Sequence, residues 1–153
     1  MGFGSQLSKQ KPAGTLKFTL DTITLGFDKN PVLELAYAGK GNGPYMSMLL
    51  KLANDQSKKL GSGRLTEAKI EASRQHTAEL FAATVVKGWE FVAEDDSPGV
   101  PCPFSREKCL ELLLSLASER DDIFDGLAAA ARDADNFPTL AADPNAGTEL
   151  GKK

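Results

Sequence analysis

The sequence predicts an α+β domain, mostly α-helical, with a small N-terminal antiparallel β-hairpin or sheet followed by about four helices. Two observations predict it. Apolar residues alternate with polar ones in T-L-K-F-T-L and again in V-L-E-L-A-Y, a period of two that makes half-buried strands. Later stretches place apolar residues at three- and four-residue spacings between helix-breaking proline and glycine clusters. At 153 residues the chain suits one domain with tails.

Residues Met1 to Gly14 are small, polar and basic and are expected to form a flexible arm, leaving a single domain over 15–138. Strands are expected within 15–37. Leu16, Phe18 and Leu20 share one side, then the apolar parity moves to Ile23, Leu25 and Phe27. A strict two-residue period cannot shift without a bulge, bend or short turn near Asp21 and Thr22. The turn signal Asp28-Lys29-Asn30-Pro31 precedes Leu33, Leu35 and Tyr37 on the returning strand.

Gly39-Lys40-Gly41-Asn42-Gly43-Pro44 breaks the strand and opens a helix over about 45–59, with Met46, Leu49, Leu50 and Ala53 on one face. Lys58 to Gly63 ends it with a flexible glycine link. Thr66 is the expected N-cap of a second helix over 65–89, whose stripe is Ile70, Thr77, Leu80, Phe81, Thr84, Val85 and Gly88. Ser105 caps a third over 105–117; C-L-E-L-L-L-S-L is apolar on too many sides for one wet face, so it belongs in the core or in an interface. The fourth, over 119–135, carries Ile123, Phe124, Leu127, Ala128 and Ala131 and is closed by Pro138. Residues 139–153 have no period and are expected to be a flexible tail.

Composition excludes several function classes. With 18 basic and 21 acidic residues and a pI near 5.2, the chain has no global positive field for nucleic acid. No apolar run reaches signal-peptide or membrane-span length, so the expected location is the cytoplasm, without a membrane partner. Gly2 is a poor N-myristoylation match, because Gln6 stands where Ser or Thr is expected and Ser5 lies one place away.

The residues that could carry chemistry read more simply as structure. His76 is the only histidine, and no catalytic triad can be assembled around it. Cys102 and Cys109 lack the CxxC spacing of a zinc knuckle and read as free buried thiols. Gly39 to Gly43 lacks the order of a phosphate-binding loop, and Glu94-Asp95-Asp96 lacks the oxygen spacing of a calcium loop. No catalytic residue, cofactor or metal is expected. The candidate partner-binding residues are the aromatics Trp89, Phe91 and Phe104 with Leu110, Leu113 and Leu114 of the over-apolar helix. The same aromatics also suit a simpler role, stapling their loop onto the core.

The order of L-E-L-A-Y-A-G-K-G-N-G-P-Y-M-S-M-L-L, T-V-V-K-G-W-E-F-V-A-E-D-D-S-P-G-V-P-C-P-F-S-R-E-K-C-L-E-L-L and a helix ending A-D-N-F-P resembles tail assembly chaperones of tailed bacteriophages. The likeness spans about Val32 to Phe137, and its most telling part is a helix ending in V-x-G-W-E, an acidic turn, then V-P-x-P-F-S and a leucine-rich helix. It implies a non-enzymatic helper in the host cell cytoplasm that binds and solubilises the tape-measure protein and helps the tail-tube protein polymerise around it. It also implies a gene often read two ways, giving a frameshifted long form, for which Gly151-Lys152-Lys153 would be the place to look. Met1 to Leu25 fall outside the resemblance.

An alternative stays open: a virion structural protein, such as a head-tail connector, tail or capsid accessory subunit. Exposed strand edges and the leucine-rich helix also admit a homo-oligomer.

Overall fold

A computed structural model describes Phe3 and residues 12–60, 66–95 and 97–139, with 55–60 as backbone alone. Within them the fold is α+β and mostly helical, a small antiparallel sheet with four helices. Strand β1 (Thr15–Thr19) pairs with β2 (Val32–Ala36), Thr15 opposite Ala36 and Thr19 opposite Val32. Leu33 and Leu35 are fully buried beneath the sheet, while on the other face Thr15 Oγ1 donates to Glu34 Oε2 at 2.8 Å.

Residues Ile23, Leu25 and Phe27 do not extend the strands. The chain turns at Asp21 and Thr22, where Thr22 adopts a φ of 64°, and Leu20 N–H returns to Pro31 O at 2.8 Å. The parity shift therefore marks a folded loop, held by Asn30 Nδ2 donating to Ile23 O at 2.7 Å. Leu25 makes only an isolated bridge to Val92.

Helix α1 (Gly43–Leu60) packs Met46 and Leu49 of the expected stripe on the core but not Leu50 and Ala53. Tyr45 is the deepest residue, set edge-on to Phe81 with centroids 6.3 Å apart, and Met48, Leu49 and Leu52 follow it at helical spacing. Anchoring on Tyr45 rotates the buried face, which leaves Leu50 64% exposed and Ala53 in solvent.

Helix α2 (Glu67–Thr84) starts at Thr66, whose hydroxyl accepts from Lys69 N–H at 3.2 Å. The helix expected to run to residue 89 instead stops at Thr84, and Val86–Glu90 form a third strand, β3, antiparallel to β2. Two causes combine. Thr84, Val85 and Val86 are consecutive β-branched residues followed by Gly88, a poor helical sequence. The free edge of β2 meanwhile offers pairing, and Ala36 N–H reaches Val85 O at 2.7 Å. Buried Thr84 turns its hydroxyl back to Leu80 O at 2.7 Å.

After a short hairpin come α3 (Arg106–Glu119) and α4 (Asp121–Arg132). Helix α3 packs against both α2 and α4, so Cys109, Leu113 and Leu116 are buried and Leu110, Leu112 and Leu114 half-buried. Its apolar character reflects two helical neighbours. Phe124, Leu127, Ala128 and Ala131 form the inner face of α4. That helix ends at Arg132, before Pro138, and a short 3-10 turn follows over Ala134–Asn136.

The expected arm also ends earlier than residue 14. Ala13 N–H donates to Pro138 O at 2.7 Å and Pro12 bridges Thr139. The rest of the arm apart from Phe3, the Gly61–Gly63 link, Asp96 and the 140–153 tail lie outside the described residues.

Candidate functional site

The segment after α2 builds a groove. Trp89 lies near the end of β3, Phe91 turns the chain with a φ of 64°, and Val92 leads into β4 (Ala93–Glu94) and β5 (Ser97–Pro101), an antiparallel hairpin. The hairpin is laced to the loop before β2: Ala93 N–H donates to Leu25 O and Gly99 N–H to Gly26 O, each at 2.8 Å. Gly26 has a φ of 88° and leaves no room for a side chain against Ala93, so this close approach needs glycine. Cys102 N–H then returns to Val92 O, and Ser105 Oγ accepts from Lys108 N–H at 3.1 Å to start α3.

Between hairpin, loop and α3 lies a groove of about 360 Å³. Leu25, Trp89, Val92 and Leu112 supply apolar walls, and Glu94, Asp95, Lys108 and Glu111 supply charge. Lys108 Nζ sits 3.7 Å from Asp95 and 3.8 Å from Glu111, which raises its pKa, Glu111 contributing most. Cys102 also borders the groove; burial, and secondarily the charge of Glu94, pushes its thiol up. Burial alone pushes Cys109 up to about 12. Both cysteines are free, buried and protonated at neutral pH.

Only some of the expected partner-binding residues come together. Trp89 and Phe104 stand edge to face with centroids 5.0 Å apart, and Trp89 Nε1 donates to Cys102 O at 2.8 Å. Phe91 makes a separate contact with Phe27 at 6.1 Å, with Lys29 Nζ 5.2 Å from its ring. Leu113 is fully buried in the core. Leu110 is half-buried against the core, and Leu114 borders a shallow depression between α2 and α3 with Arg74 and Glu79. Leu113 cannot touch a partner without unfolding.

Leu25, Lys108, Glu111 and Leu112 also border the groove, and no motif in the sequence marks them. The last three share one face of α3 at three- and four-residue spacing, a signal that the run of leucines masked. His76 Nδ1 is buried without a hydrogen-bond partner among the described residues, beside a cavity of about 170 Å³ between α1 and α2. Among the described residues no three metal-ligating side chains converge, and no helix is long and apolar enough to cross a membrane.

Fold and groove define a small α+β protein with an apolar, charge-rimmed cleft built by the strand-hairpin-helix segment together with the loop before β2. A family model described as YdaY prophage protein matches residues 41–147, and the chain belongs to that phage-derived family. The match takes in every element from α1 onward and leaves β1 and β2 outside. No curated protein and no solved structure matched the chain.

Proposed function

We propose that this prophage-family chain is a non-enzymatic tail assembly chaperone, which binds and solubilises the tape-measure protein and promotes assembly of the tail tube in the cytoplasm of the infected cell. One observation carries the reading: the V-x-G-W-E to V-P-x-P-F-S segment, the most telling part of the likeness to tail assembly chaperones, supplies Trp89, Val92, Glu94 and Asp95 to the groove. A tape measure is a long, largely helical chain whose apolar stripes would self-associate before the tube encloses them. A protein of net charge −3 covering those stripes would add mutual repulsion between loaded chains. Many copies along one chain add avidity while each contact stays weak enough for tube subunits to displace.

The test is co-expression with the tape-measure protein of the same prophage, followed by sedimentation and co-purification. Rescue of soluble tape measure carrying several copies of this chain is the expected result. No binding and no rescue would overturn the proposal.

A second reading, a virion structural subunit, is favoured by the sheet. Its outer strands β1 and β3 pair with no further strand among the described residues, and such edges accept a neighbour's strand. Stoichiometric presence in purified particles would select it; absence would select the chaperone.

A further inference from the structure

We infer that the groove takes one turn of a basic amphipathic helix, with an apolar side chain against Leu25, Trp89, Val92 and Leu112 and a Lys or Arg of the same helical face on the carboxylates of Asp95 and Glu111. This rests on the chaperone reading and specifies which tape-measure segments the protein holds.

The chemistry of the rim carries the inference. The groove is bordered by three carboxylates, Glu94, Asp95 and Glu111, against the single ammonium of Lys108. That ammonium lies 3.7 and 3.8 Å from two of them, so the protein's own cation stands where an incoming one would bind. All three of these side chains are substantially solvent-exposed, at 41% for Lys108, 82% for Asp95 and 66% for Glu111, and so exchange partners at little cost. An acidic segment would meet like charge and is disfavoured. The volume, about 360 Å³, is at the small end of the range of ligand sites and suits a few apolar side chains. Residues four apart on a helix share a face, so one turn presents an apolar and a basic group together.

Trp89 is the only tryptophan and borders the groove, so its emission reports occupancy. The full chain is titrated with two tryptophan-free synthetic amphipathic peptides sharing one leucine stripe, flanked by lysines in one and by glutamates in the other. The lysine peptide is expected to shift Trp89 emission and bind roughly tenfold tighter than the glutamate peptide, with the preference fading in high salt. Asp95→Asn with Glu111→Gln should weaken the lysine peptide by about tenfold, and Lys108→Ala should tighten it about threefold. Equal binding of both peptides, or weaker binding of the lysine peptide by Lys108→Ala in a chain with unchanged circular dichroism, overturns the inference. Failure of both peptides alongside rescue of the tape measure overturns the groove assignment and leaves the chaperone reading standing. Binding of the lysine peptide without rescue upholds the groove chemistry and overturns the tape measure as its source.

Discussion

Phe91 occupies a left-handed backbone conformation, φ 64°, which costs a bulky residue about 1–2 kcal/mol. The Phe27 edge contact and the Lys29 ammonium over the ring hold it there. Removing the ring should therefore separate packing from strain. Phe91→Ala and Phe91→Gly lose the same contacts, but only glycine relieves the backbone, so we expect Phe91→Gly to be the more stable of the two by about 1 kcal/mol in urea unfolding. A more stable alanine variant would mean that position 91 carries no strain. In the sequence Phe91 was visible as one of three aromatics around an acidic turn. Its separation from Trp89 and Phe104 was not, because a single positive φ redirects the chain and no residue pattern announces it for phenylalanine.

At the scale of elements, Asn42 joins three of them. Its amide Nδ2 donates to Tyr37 O after β2 and to Thr84 O at the end of α2, both at 3.0 Å, while its Oδ1 accepts from Tyr45 N–H in the first turn of α1. Asn42→Asp keeps the size and the acceptor but loses both donors and sets a carboxylate against two carbonyls. We expect a loss of about 2–3 kcal/mol with an unchanged dependence on urea concentration. A change below 0.5 kcal/mol would show that water replaces the clip. The sequence marked Gly39 to Pro44 as a chain break, yet an asparagine between glycines reads as turn chemistry, and the carbonyl at Thr84 lies 42 positions away. The same distance effect explains the end of α2. The local pattern read as helix through Val85 and Val86, and the open edge of β2 decided for strand.

Across the whole molecule, α3 is the element on which α2 and α4 close, and Cys109 sits at that junction, fully buried. Its folded pKa of about 12 lies above its ordinary 9.0, so the folded state keeps the proton after the unfolded chain has lost it. The resulting stability is complete below about pH 9 and declines as pH rises toward 12, by up to about 1.4 kcal/mol per pH unit. Urea midpoints measured from pH 8 to 11 should fall less steeply in Cys109→Ala than in the parent, although the variant starts lower because of its small cavity. Identical slopes would show that the thiol does not stay buried and protonated.

The α+β class, the approximate helices, the inner face of α4 and the over-apolar nature of α3 are legible in the sequence, because these follow from spacings along one segment. The sequence also marks the Trp89 to Phe104 stretch, through its aromatics, proline and acidic turn. That β3 completes the sheet, that Tyr45 sets the face of α1, and that Leu113 is core emerge only from the packed fold. So does the meeting of Lys108 and Glu111 of α3 with Asp95 of the hairpin around a groove floored partly by Leu25. The physical reason is common to these cases: each depends on groups brought together by packing and edge pairing between distant segments, which a local period cannot encode.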